Sequence, residues 1–252
     1  MIDAVSSLLE AGAPAAAVVL LAAFIKGAIG FGFPTLGTPL LALFVDAKTA
    51  VVTLILPNIV MDGVQALRRG GLGPTVRRMA ALMAAGTVGT VLGTRLLVLL
   101  SPRAVTLILG AFVLLFAALN LTRSLPRVPE TWERWLSPLV GLGAGVIGGI
   151  TNVPGTPLVL YFYALGMAKE EFVRSVAVTF VYYKLIQLGA VAWFGLLSWP
   201  LLGASAGLSL IGLGSFVLGL RVQDRLAQQA FNRAVLAFLV GLGVWLVWRS
   251  LP

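Results

Sequence analysis

The sequence predicts an all-α polytopic membrane protein made of two inverted-topology repeats of about five helical segments each, with interrupted or re-entrant helices meeting near the midplane. Three observations carry this expectation. Only 18 basic and 9 acidic residues are spread over 252, or 11% charged, and mean hydropathy is +1.01; an average soluble domain is about one quarter charged. The apolar residues gather into segments separated by short basic loops. Short motifs also recur in order along the chain.

Apolar segments run at 13–30, 35–45, 49–67, 79–99, 104–122, 135–150, 155–167, 175–194, 201–220 and 234–248. A helix crosses a bilayer with about 20 apolar residues, so most of these are expected to span. Leucine and alanine dominate and no alternation marks a strand. The first segment has no basic residue before Lys26, the wrong flank for a cleaved signal peptide, so it is expected to remain. The second and seventh segments rise only about 16–20 Å, against a hydrocarbon core of about 30 Å. They read as half-helices or re-entrant pieces. Pro57 predicts a kink in the third.

Gly37-Thr38-Pro39-Leu40 recurs as Gly155-Thr156-Pro157-Leu158, at an offset of 118, with Gly27, Gly30 and Phe44 echoed at Gly145, Gly148 and Phe162. Further on, Gly86, Gly93 and Arg95 match Gly212, Gly219 and Arg221, and Arg123-Ser124-Leu125-Pro126 recurs at 249–252, both at 126. Residues 1–126 and 127–252 therefore read as two copies of one unit within a single membrane domain.

Charge counting orients them. Consider an odd number of crossings per half, or three plus a hairpin that returns to its own side. Arg68, Arg69, Arg77, Arg78, Arg123, Arg127, Arg134, Lys169, Arg174, Arg221, Arg225 and Arg233 then face the cytoplasm. Only Lys48, Arg95, Arg103 and Arg249 face outward, 12 against 4. An even number gives 8 against 8. The positive-inside rule favours inverted copies with both termini outside. The same rule explains the net charge of +9 without nucleic acid. Trp132, Trp135, Trp199, Trp245 and Trp248 cluster near span ends, as interfacial belts do.

Interrupted helices in inverted repeats mark transporter binding sites. The interruptions here run from Gly30 and Gly32 through Pro34 and Gly37 to Pro39, and from Gly148 and Gly149 through Pro154 and Gly155 to Pro157. These glycines and prolines are expected to act as backbone hinges. Thr35 or Thr38, and Thr151, Asn152 or Thr156, stand where N-caps are expected, with Pro39 and Pro157 at first helical positions. Two helix N-termini facing each other with threonine hydroxyls between them favour a small oxyanion. The competing reading is glycines that serve packing and threonines that bond their own backbone.

Ionisable groups inside spans add to the candidate site. Lys26 and Lys184 are costly in lipid and should face protein, water or ligand. Lys184 sits three residues before Gln187, so one face carries a cation and an amide. Asn58, Asp62 and Gln65 share a face of the third segment. Asp62 is expected to relay a proton or, the favoured reading, to pair with Lys26 or with Arg68 and Arg69. Gly89-x-x-x-Gly93 and Ser215-x-x-x-Gly219 are expected to serve helix packing alone.

Enzyme readings are weak. Gly203-Ala204-Ser205-Ala206-Gly207 fits G-x-S-x-G, but the chain has no histidine to act as base. Asp62 lacks a second aspartate with which to share a proton. With no cysteine or histidine, neither a metal site nor a cofactor is implied.

Laid out this way, the chain resembles the sulfite exporter TauE/SafE family. The resemblance rests on GAIGFGFPTLGTPLLALF (27–44), its echo GGITNVPGTPLVLYFYALG (148–166) and FVRSVAVTF (172–180). The family often has a denser glycine run where this chain has Phe31 and Phe33. The resemblance implies export of small anions such as sulfite, sulfoacetate or other organosulfonates from the cell interior, across the inner membrane. A negative interior favours expulsion of a monovalent anion by about 2.3 kcal/mol per 100 mV, so export can proceed without a coupling ion, and the coupling ion (proton, sodium or none) stays open. The expected partners are the anionic substrate and membrane lipid, not nucleic acid; a homodimer stays open. The alternatives are a passive anion channel on the same scaffold and a membrane scaffold subunit that transports nothing.

Overall fold

The computed structural model describes residues 6–8, 10–68, 72–121 and 128–223, together with 244 and 248. Every regular element among them is a helix: α1 (Gly12–Ile29), α2 (Phe33–Leu41), α3 (Ala47–Thr53), α4 (Ile55–Leu67), α5 (Leu72–Leu99), α6 (Pro102–Leu121), α7 (Glu130–Thr151), α8 (Gly155–Ala164), α9 (Lys169–Trp193) and α10 (Trp199–Gln223). Five stretches are long and apolar enough to cross a membrane: α1, α3 with α4, α5, α9 and α10. The tenth predicted segment, 234–248, the Arg-Ser-Leu-Pro echoes and Trp245 lie outside the described residues. Trp132, Trp135, Trp193, Trp199 and Trp248 are exposed.

The short elements keep their predicted places, at 9 residues for α2 and 10 for α8. Three details differ from expectation. The third segment breaks at Leu54 instead of kinking at Pro57. Pro57 has no N–H for the Thr53 carbonyl, four residues back. Ser205 donates to that carbonyl instead, at 2.6 Å, which gives the G-x-S-x-G serine a structural task. α7 and α9 begin earlier than hydropathy suggests, at Glu130 and Lys169. Their first turns are tied outside the apolar stretch, where Arg78 of α5 bonds Glu133 at 2.8 Å and Glu171 at 2.5 Å. Asp46 caps α3 by accepting from the amides of Lys48 and Thr49.

Two separate apolar cores result. One joins α1, α2, α3, α6, α10 and most of α4 with Leu97 of α5 and Val191 of α9; the other joins the rest of α5 and α9 with α7 and α8. Across these cores α5 packs on α7 and α10 packs back on α1. Other pairings match in the same way, α5 on α9 with α10 on α4, and α1 on α2 with α7 on α8. Lipid offers no hydrophobic drive for helices to associate, so small residues that allow close packing carry it. A Cβ on Gly27 would stand 2.2 Å from the Phe216 carbonyl oxygen, and one on Gly219 2.2 Å from that of Phe24. In the other pair, a Cβ on Gly93 would stand 2.2 Å from the Val146 carbonyl oxygen and one on Gly149 2.6 Å from that of Thr90. Ser215 adds a hydrogen bond to the Leu20 carbonyl at 2.7 Å.

Candidate substrate-binding site at the seam

Both interruptions are shorter than the sequence suggests, three residues each. The first is Gly30 to Gly32, and the second Asn152 to Pro154. Gly30 and Gly32 take φ of 95° and 100°, the left-handed region that glycine tolerates. In the second break Asn152 does this, at φ 68°. The remaining hinge candidates are helical. Pro34 lies in the first turn of α2, Gly37 and Pro39 lie inside it, Gly148 and Gly149 close α7, Gly155 opens α8, and Pro157 is its third residue.

The threonine caps are likewise corrected. Gly32 and Pro154 occupy the N-cap positions, and neither gives a side-chain cap. The physical reason is that Gly30 and Gly32 unwind before Thr35 and Thr38, which are already helical when the chain reaches them, while Asn152 unwinds just after Thr151. Thr151 closes α7, donating to the Ile147 carbonyl at 2.7 Å and accepting from the Val153 amide at 3.2 Å. Its hydroxyl thus follows the local reading. The Thr156 side chain lies outside the described part of the structure.

The broken backbone is held by two glutamines. Gly30 has Pro34 four residues on, so its carbonyl has no helical donor; the Gln65 amide donates to it at 2.5 Å. Val153 spends its amide on Thr151, which frees the Gly149 carbonyl. Gln187 donates to it at 3.2 Å and to the Gly148 carbonyl at 3.1 Å. Gln187 therefore braces the second break, and Gln65, outside the predicted ligand set, braces the first.

The two breaks touch. Asn152 donates from its amide to the Thr38 hydroxyl at 3.2 Å. The Thr35 hydroxyl lies 3.7 Å from where a Cβ on Gly155 would stand, and the Phe180 ring edge lies 3.3 Å from the same point. Beside Phe180, the Lys26 ammonium sits 5.9 Å from the ring centre and bonds Asp62 at 2.5 Å. Of the partners available to Asp62, the structure thus selects Lys26. Lys184 donates to Gln187 Oε1 at 2.5 Å and lies within electrostatic range of Asp62. Phe31, where the family often carries glycine, meets Phe172 edge-on across the seam, with ring centres 6.2 Å apart.

Lys26, Asp62 and Lys184 are the fully buried charged residues among those described. Formally they leave one positive charge uncompensated. Other polar atoms of the candidate site, namely both amide atoms of Asn58, Asp62 Oδ2, Gln65 Oε1 and Asn152 Oδ1, are buried with no hydrogen-bond partner among the described residues. Orphaned groups of this kind are costly unless something satisfies them.

Spanning apolar helices around two broken ones, with charge buried where the breaks meet, define a membrane protein of the transporter class. The chain belongs to the sulfite exporter TauE/SafE family, whose model matches residues 15–246. Neither the curated proteins nor the solved structures yield a match.

Proposed function

We propose that the protein exports small anions, such as sulfite, sulfoacetate or other organosulfonates, across the inner cell membrane as a multi-pass carrier. The carrying observation is the burial at the seam of two lysines against one carboxylate. Lys26 and Lys184 face a single carboxylate, and Asn58 presents an unpaired amide one turn before it. A buried charge without a counter-charge is unfavourable, and an entering monoanion supplies one. Thr35, Thr38 and Asn152, with the α2 and α8 amides that have no helical acceptor, orient its oxygens. Gln187 places Lys184.

The proposed carrier works by alternating access, with the site at the contact between the two cores. Inverted repeats would make the inward and outward states near mirror images. The purified protein in liposomes tests this. Efflux of a monovalent sulfonate is expected to saturate and to speed up when the same anion is present on the far side. Flux without saturation or trans-stimulation would indicate a passive channel, and no flux a scaffold.

A further inference from the structure

We infer that Asp62 sets the charge the site accepts: a monovalent anion binds with Asp62 ionised, and a divalent anion binds only together with one proton on Asp62. This rests on the anion-carrier reading above and adds the substrate's charge class and its coupling. The argument is electroneutrality. Uncompensated charge in a buried site carries a heavy desolvation penalty, so the occupied cluster favours zero net charge. Counted formally as two ammoniums and one carboxylate, the buried Lys26, Lys184 and Asp62 are neutralised by one negative charge on the ligand. A second ligand charge must be cancelled, and Asp62 is the only fully buried carboxylate among the described residues.

The geometry provides for that proton. Asp62 Oδ1 is engaged with Lys26, whereas Oδ2 is buried without a partner. Protonation at Oδ2 therefore breaks no hydrogen bond. Asn58, one turn earlier on α4 and equally buried, has both amide atoms free, one to accept from a protonated Oδ2 and one to donate to a ligand oxygen. The charged groups that bear on Asp62 are Lys26 from α1 and Lys184 from α9. The ionisable residue of α10 is Arg221, in its last turn, remote from Gly212, which packs near Met61. Asp62 and Lys184 also occupy matched places. Residues 30 and 152, 33 and 155, and 65 and 187 do the same structural work 122 apart, and so are 62 and 184. One wall of the seam carries the acid where the other carries the base.

The test uses the full chain in proteoliposomes enclosing a pH-sensitive dye, with isethionate as the monovalent anion and sulfoacetate as the divalent one. One proton is expected to accompany each sulfoacetate and none each isethionate. Asp62→Asn should carry sulfoacetate without a proton and move isethionate at least ten-fold more slowly, while Asp62→Glu keeps the wild-type ratios. Equal proton stoichiometry for the two anions, or proton movement with sulfoacetate through Asp62→Asn, would overturn the inference. Should Asp62→Asn fail to fold, the wild-type ratios decide alone. If neither anion moves through wild type, the carrier reading itself fails.

Discussion

Lys26 and Asp62 are worth more together than either is alone. Removing one partner of a buried ion pair leaves an uncompensated charge, at a cost of about 3–5 kcal/mol, whereas replacing both with apolar groups is often neutral. Asp62→Leu, which leaves two buried lysines without a carboxylate, is therefore expected to lower the unfolding temperature in mild detergent sharply, and Asp62→Leu with Lys26→Met, which restores a single surplus charge, to recover most of the loss. Equal loss in the single and double variants would contradict the pairing. Gln187→Leu strands the Gly149 carbonyl, while Gly148 keeps the Asn152 amide, and should cost about 1–3 kcal/mol by the same measurement. At this scale the polar face of Asn58, Asp62 and Gln65, and the spacing of Lys184 to Gln187, were readable because helical periodicity fixes which side chains share a face. The threonine caps were not. Whether a threonine caps or sits one turn inside depends on where the left-handed residue falls, and Asn152 takes that place where a glycine was expected.

Glycine contacts between elements explain why α1 seats on α10 and α5 on α7. A methyl at Gly93 or Gly219 would meet a carbonyl oxygen at 2.2 Å, so the helices must separate. Gly93→Ala and Gly219→Ala should each destabilise by about 1–3 kcal/mol. Gly214→Ala, with nothing within 4 Å of the new methyl, should be neutral or gain up to about 1 kcal/mol from helix propensity. Thermal unfolding of the three variants checks this; equal effects would remove the packing account. The segments and their shortness were legible because bilayer thickness and helical rise set lengths. Register was only half legible. Gly-Thr-Pro-Leu aligns at 118, but the first copy lies inside α2 and the second opens α8. The structural match runs at 122, carried by Gly30 with Asn152 and by Gln65 with Gln187, which share a task more than a motif.

Among the described residues the helices form two apolar cores joined through α9, with α5 packed on α7 and α10 on α1, and Lys26 and Asp62 are buried where α1, α4 and α9 meet. Inverted copies predict that Gly73→Cys, in the first turn of α5, is labelled only from the cytoplasm, and Ser198→Cys, just before α10, only from outside. Labelling of both from one face would contradict the topology. Composition exposed the membrane class and the basic loops suggested orientation. The packing of α5 on α7 and of α10 on α1 was not visible, since it depends on glycine surfaces complementary across distant segments. The central claim is that surplus positive charge where the breaks meet holds an anion. Calorimetric titration of the purified protein with isethionate, comparing wild type with Lys184→Gln, tests it most directly. The account predicts saturable binding by wild type and at least ten-fold weaker binding by Lys184→Gln at similar unfolding temperature. Equal affinity in the two proteins would contradict it.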